Sequence, residues 1–412
     1  MNAEAGTGLP EFCGGVAIVG HGLSCAVGNQ PFALLGAVAG GLSLARADRA
    51  LEVPTPDGRG AAPLVSCPVL GHHPDPGSRL AALWWPALRQ ALATAPWRRG
   101  DEGRCEVILA VPATACGRDG CVDPGTWCRQ IRTAFDWPAE TTVRVVPAEG
   151  TVVGELALAA GRLEEGLCDR VLFGAVDTLL EPGRLDELAA GYRLAGRSAG
   201  GGIVPGEAAA FVALERAEGG PPHAVRLEAA VTAAEPGHGR AGETRLVGLA
   251  QAIEGVARLA GSQPQDLECL CAGVSDPLDW PLEWQQTGSR LWPRRLPEAD
   301  RRAMEEGRTD APQPSPGPQR ELLDPATAVG HTGIAAPMLA LLLACARLAF
   351  DWPAPRQVAV LDQPDAPFRG ALWATAPGAA GAGRKPDGRG PGQARGRRSA
   401  RGGGGPRPGP GS

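Results

Sequence analysis

Apolar positions along this chain fall into two kinds of run. Short runs of about four to eight apolar residues, bounded by turn-forming residues, alternate with longer stretches of helical periodicity. CEVILAV (105–111), TTVRVVPA (141–148), DRVLFGAVD (169–177) and AAAFVALERA (208–217) read as strands, with a helix from about Thr151 to Glu165. A second block repeats the order. It runs through VRLEAAVTAAE (225–235), a helix within GETRLVGLAQAIEGVARLAG (242–261), DLECLCAGV (266–274), an apolar helix after His331, QVAVLDQ (357–363) and GALWATAP (370–377). Strands apolar on both faces, alternating with helices, predict an α/β architecture with a buried sheet. The repetition predicts a duplicated fold.

The longest apolar stretch, GIAAPMLALLLACARLAF (333–350), is interrupted by Pro337 and Arg347. A bilayer span needs about 20 apolar residues, so this segment is predicted to be a core helix and no membrane span is expected. RTDAPQPSPGPQR (308–320) reads as a Pro-rich surface excursion within the second block. From about Ala379 onward the text has no apolar periodicity and is predicted to be a disordered Arg/Gly/Pro-rich tail. The tail holds eight basic residues and one acid, a net +7, against −5 for the chain, which leaves −12 on the body. Such a tail is able to contact RNA by counterion release, but its arginines lack interleaved aromatics for base stacking. A solubilising tail is the preferred reading over a nucleic-acid partner.

With 412 residues, 43% of them hydrophobic, the chain has ample material for a buried core. The opening MNAEAGTGLPEF shows neither a secretory nor a transit pattern, and a cytoplasmic location is expected. The eleven cysteines are scattered and odd in number, which in that compartment predicts reduced, mostly buried thiols. Cys269 and Cys271 alternate along a strand, and Cys116 to Cys128 has no histidine nearby, so neither pattern predicts zinc. The adjacent His72 and His73 read as a surface loop rather than a metal site. No cofactor or metal is predicted.

The order of motifs resembles the β-ketoacyl synthase family of the thiolase-like superfamily over residues 14 to 375. The resemblance is carried by VAIVGHGLSCAVGN (16–29), GAVAGGLSLAR (36–46), LCDRVLFGAVDTLLEPGRLDELAAGYRL (167–194), GGIVPGEAAAFVALERA (201–217) and, most specifically, VGHTGIAAPMLALLLA (329–344). It implies a thiolase-like five-layered αβαβα fold of two similar halves. These are expected at 14–218 and 219–378, between an N-terminal extension (1–13) and the tail (379–412). It also implies dimers, an active site between the halves, and condensation of thioesters on an acyl carrier protein. That chemistry in the family uses a cysteine at a helix N-terminus, two histidines, a lysine and a Gly-rich loop.

Against that pattern this chain lacks most of the chemistry. Counting back from Gly166, the cysteine position falls on Glu149, which reads either as a carboxylate favoured by the helix dipole or as an acid or base. Cys116, in VPATACGRDGC, imitates the cysteine motif, but loop-forming text follows it, so it reads as an ordinary thiol. No histidine lies between His238 and His331, and the only lysine is Lys385. The Gly-rich loop is replaced by DQPDAPFRGALW (362–373), with two prolines and no paired glycines. His331 remains, as a pocket residue or a satisfied interior one. Trp280, Trp284 and Trp292 read as packing residues or interface anchors. At Pro205-Gly206-Glu207 the glycine is expected to serve a backbone conformation closed to other residues.

The expectation is therefore a degenerate synthase-like protein acting as a partner or scaffold subunit. It would resemble either the chain-length partner of a ketosynthase heterodimer or a thiolase-like accessory protein for secretion effectors. Its partners would be a second copy or a related synthase, with an acyl carrier protein or an effector as further candidates. The enzymatic alternative is an acyltransferase or malonyl-thioester decarboxylase of fatty acid or polyketide biosynthesis, with Glu149 and His331 as the remnant catalytic pair.

Overall fold

The computed structural model describes residues 9–377, apart from 55–58, 72–74, 98–102, 117–120, 136, 138–139, 149, 196–201, 219–223, 241–242, 276–278, 294–297, 308–319 and 351–354. Glu149, the His72-His73 pair, nearly all of the Pro-rich segment and the basic tail thus lie outside the described residues.

Twelve strands are present among them: β1 (Glu11–Ser24), β2 (Arg46–Pro54), β3 (Ala61–Ser66), β4 (Cys105–Pro112), β5 (Thr142–Ala148), β6 (Arg170–Thr178), β7 (Glu207–Arg216), β8 (Val225–Ala234), β9 (Cys269–Val274), β10 (Glu321–Leu323), β11 (Gln357–Gln363) and β12 (Phe368–Thr375). The helices are α1 (Pro31–Ala39), α2 (Pro76–Thr94), α3 (Pro124–Ala134), α4 (Val152–Glu164), α5 (Pro182–Ala190), α6 (Gly248–Leu259), α7 (Trp280–Leu291), α8 (Glu298–Glu305), α9 (Ala326–Val329) and α10 (Ala336–Ala349).

Ten strands form one continuous sheet in the order β10-β9-β11-β12-β8-β1-β7-β6-β4-β5, and β2 and β3 pair separately. Read outward from the central β1–β8 pair, the two arms are the same. In the first half β5, β4 and β6 run parallel, β7 is antiparallel to β6, and β1 closes the arm against β7. In the second half β10, β9 and β11 run parallel, β12 is antiparallel to β11, and β8 closes the arm against β12. The duplication expected from the sequence is thus realised strand for strand. β1 reaches back to Glu11, ahead of Gly14, because Glu11 to Cys13 pair with Val231 to Ala229 of β8.

Helices fill three layers around this sheet. One outer core gathers Leu83, Trp84 and Leu88 of α2 with Trp127 of α3 on the first half. The other gathers Leu249, Ile253 and Val256 of α6 on the second half, with Trp280, Trp284 and Trp292 packed against it. The central core joins Leu156 and Leu163 of α4 to Leu339, Leu341 and Leu343 of α10, between the two arms of the sheet. This is the five-layered αβαβα arrangement. It explains why α10 is apolar along nearly its whole length: a helix lying between the two arms of the sheet has little solvent face, and twelve of its residues are buried. Among the described residues no helix is long and apolar enough to cross a membrane.

Local chemistry sets the helix starts. Asp75 accepts from Ser78 N–H at 2.7 Å ahead of α2, and Asp123 accepts from Gly125 and Thr126 N–H ahead of α3. Proline occupies the first helical position in both, where its missing N–H costs nothing.

Candidate functional site

The site implied by the resemblance lies where α4 and α10 begin, between the halves. At α4 the N-cap is Thr151, whose hydroxyl accepts from Gly154 N–H at 2.9 Å and lies 3.2 Å from the Thr232 hydroxyl of β8. The next acceptor comes from far along the chain. Asp362, near the end of β11, takes the Val153 N–H on Oδ2 at 3.0 Å. The first N–H groups of a helix have no partner within it and carry the positive end of its dipole. Here those of Val153 and Gly154 are satisfied by the protein's own side chains. Asp362 is fully buried, and that burial pushes its carboxyl up to about 7 against the pull of the helix N–H groups and of Arg369.

The entrance to α10 is built in the opposite sense. Asp177, near the end of β6, accepts from Ile334 N–H on Oδ2 at 2.9 Å and from Thr178 N–H on Oδ1 at 2.7 Å. Ile334 belongs to the 3₁₀ turn Gly333–Ala335 that leads into α10. Gly333 has φ +52°, and a Cβ there would lie 1.8 Å from Asp177 Oδ2, so the carboxyl reaches the turn only across a glycine. Burial raises the Asp177 carboxyl, opposed by Arg184 and the two N–H groups. Neither aspartate was singled out in the sequence. The available signal was that each stands one residue before the end of the fourth main-sheet strand of its half, in GAVDT and VLDQ.

His331 sits on the turn between α9 and that 3₁₀ segment, half-buried. Its N–H donates to Val204 O and its carbonyl accepts from Gly206 N–H, both at 2.8 Å. The backbone of His331 is thereby stitched to the Pro205-Gly206-Glu207 turn. The reason for Gly206 differs from the one expected: its φ is not positive, and glycine is required because a Cβ would lie 2.4 Å from Val329 O. Glu207 pins the same turn from below. Its buried carboxylate accepts from Arg79 Nε at 2.6 Å, from Thr178 Oγ1 at 3.0 Å and from the N–H groups of Val69 and Leu70.

The segment replacing the Gly-rich loop turns the wrong groups inward for an oxyanion hole. The Arg369 guanidinium, fully buried, donates from Nη1 to the carbonyls of Pro364 at 3.3 Å, Ala366 at 2.7 Å and Phe368 at 2.8 Å. Its Nε lies 2.8 Å from Glu283 Oε1 of α7, and Gln363 donates to the same carboxyl at 3.3 Å. Burial raises Glu283 and the arginine opposes it. An oxyanion needs N–H donors; this loop closes its carbonyls around a cation. Phe368 also reaches over the helix approach, 3.6 Å from where a Cβ on Gly150 would stand.

The remaining candidates separate from this site. Cys116 ends the single 3₁₀ turn Ala113–Cys116 after β4, and burial raises its thiol, the reverse of what a nucleophile needs. Trp280, Trp284 and Trp292 pack on the outer core, with the first two stacked at 5.5 Å and Arg320 lying 4.4 Å over Trp292. Where the first family histidine is expected, β9 ends at Val274 and Ser275 follows, its hydroxyl donating to Gly333 O at 2.8 Å. Among the described residues no group of His, Cys, Asp or Glu is arranged to hold a metal ion.

Comparison with known proteins places this architecture. No protein-family model and no curated protein matches the sequence, whereas many solved structures match its fold. One is a chain in the complex of a type II polyketide synthase acyl carrier protein with its ketosynthase bound to the hexaketide. It has 14% identity and a TM-score of 0.65, over 88% of this chain and 100% of that one. A chain of the ishigamide ketosynthase/chain length factor is 15% identical with a TM-score of 0.61, over 88% and 99%. The ketosynthase from module 6 of the bacillaene synthase of Bacillus subtilis 168 is 12% identical with a TM-score of 0.63, over 88% and 72%. The chain has the thiolase-like fold of the polyketide ketosynthases and chain length factors.

Proposed function

We propose that this protein is a non-condensing subunit of ketosynthase descent, acting in the cytoplasm as the chain-length-factor-like partner of an intact ketosynthase that is served by an acyl carrier protein. The observation that carries the reading is the start of α4. Its free N–H groups, which in a condensing enzyme would support a thiolate, are taken by Thr151 and Asp362. Three further features support it. Glu149 stands at the counted cysteine position, the body of the chain has no lysine, and the loop carbonyls close on Arg369. The ishigamide ketosynthase/chain length factor among the structural neighbours supports this partner role over that of a secretion accessory.

Two measurements test it. Intact-protein mass spectrometry after incubation with malonyl and acyl thioesters, on coenzyme A and on a carrier protein, is expected to return the unmodified mass. A covalent acyl adduct would instead restore the enzymatic alternative built on Glu149 and His331. Co-expression with an intact type II ketosynthase, followed by size-exclusion chromatography, is expected to give a mixed dimer. A protein that stays with itself while the ketosynthase elutes alone would argue against the partner role.

A further inference from the structure

A second concavity lies away from the helix starts. It is a half-open cleft of about 290 Å³, walled by Ile18 and His21 of β1, Phe32 of α1, Val225 of β8, and Ala346 and Ala349 at the end of α10. Ala349 is the last residue of α10, about 20 Å along the helix axis from its start at the usual rise per residue. The cleft is therefore separate from the site between the halves, and nothing argued about α4 bears on it.

Its chemistry is narrow. No Asp, Glu, Lys or Arg lines it, so an ion entering it would lose water without gaining a counter-charge. The Thr94 hydroxyl, also at the cleft, is occupied: it accepts from His21 N–H and donates to the His21 carbonyl, both at 2.8 Å. That exchange fixes the backbone of His21 and leaves its imidazole as the polar group facing an apolar wall. No hydrogen bond from the ring is formed to any described residue. Burial lowers its pKa, so the ring is neutral at neutral pH and offers one N–H donor and one bare nitrogen acceptor. A concave, mainly apolar space with one placed hydrogen-bonding group is the usual form of a small-molecule site, and this one stands near the lower end of their size range.

We propose that the cleft binds a small, neutral, mainly apolar molecule carrying one hydroxyl group, with the hydroxyl held by His21 and the hydrocarbon body lying against Ile18, Val225 and Ala346. A hydroxyl both donates and accepts, so it satisfies the ring in either tautomer. A carboxylate of the same shape would be buried unpaired. The size of the cleft suits a one- or two-ring molecule.

The probe for this proposal is 2-naphthol, titrated by fluorescence into the full-length protein, with naphthalene and 2-naphthoate as companions. Saturable binding of 2-naphthol is expected, with naphthalene weaker by roughly three- to tenfold for the lost hydrogen bond and 2-naphthoate weaker still. Ala349→Trp, at an exposed rim position, is expected to abolish binding of all three without disturbing the fold. His21→Leu is expected to reduce 2-naphthol to the affinity of naphthalene while naphthalene itself still binds, which also shows that the cleft has kept its shape. Absence of saturable 2-naphthol binding, binding that survives Ala349→Trp unchanged, or tighter binding of 2-naphthoate would each overturn the proposal.

Discussion

The two halves share one strand order, and each sends a buried aspartate across to the central helix of the other. Asp177 of the first half accepts Ile334 N–H at the approach to α10, and Asp362 of the second accepts Val153 N–H at the start of α4. The two entrances differ in how much sequence change they tolerate. α4 starts at an ordinary threonine cap behind Gly150, where a Cβ would meet only Phe368 at an ordinary contact distance of 3.6 Å and φ is not positive. α10 starts through Gly330 and Gly333, both at positive φ, with His331 pinned by its backbone between Val204 and Gly206. Side chains just ahead of the first helix are thus free to vary at little cost to the frame, whereas the second entrance is held by geometry. That difference accounts for a chain that keeps the Gly-His segment and its helix while glutamate stands at the counted cysteine position.

The largest expected effect breaks the second half's loop. Arg369→Met strands the Glu283 carboxyl in the interior and is expected to cost about 3–5 kcal/mol, read by urea denaturation, with Glu283→Met in the same chain recovering most of it. Next comes the contrast between the entrances themselves. Gly333→Ala is expected to cost on the order of 3 kcal/mol through its positive φ and the clash with Asp177, while Gly150→Ala stays within about 0.5 kcal/mol. Equal losses at the two glycines would remove the asymmetry.

Asp362→Asn sharpens the comparison through pH and is expected to cost roughly 1–2 kcal/mol at its largest. Asp362 has its folded pKa raised to about 7 from an ordinary 3.8, so the folded chain holds a proton that the unfolded chain releases. Its contribution is present in acid and is lost as pH rises from about 4 to about 7. The stability difference between wild type and variant should fall across that window, change sign and level off above it with the variant the more stable, measured by denaturation at a series of pH values. The smallest effect is Thr151→Ala, a lost N-cap, expected at about 1 kcal/mol by thermal or urea unfolding.

Much of the frame was legible because strand and helix periodicity are local. The helix read from about Thr151 to Glu165 is α4, Val152–Glu164, and QVAVLDQ is β11 to the residue. α10 begins at Ala336 rather than directly after His331, because the glycine-containing turn capped by Asp177 intervenes. The caps were not legible, since Asp362 and Val153 are 209 residues apart and Asp177 and Ile334 are 157 apart. Periodicity cannot see such pairs; only the duplicated position of the two aspartates hinted at them. Arg369 was hidden in the same way, reading as one charge in a loop until its carbonyl partners were in place.

The central claim is that the start of α4 no longer supports a nucleophile. The most direct test puts one back: Glu149→Cys, followed by the pH dependence of its alkylation by iodoacetamide, with mass mapping to separate it from the native thiols. The account predicts a thiol that titrates at or above the ordinary value of about 8.5, because the helix N–H groups are already taken. A cysteine titrating below about 7 would show that the dipole is still available there, and would contradict it.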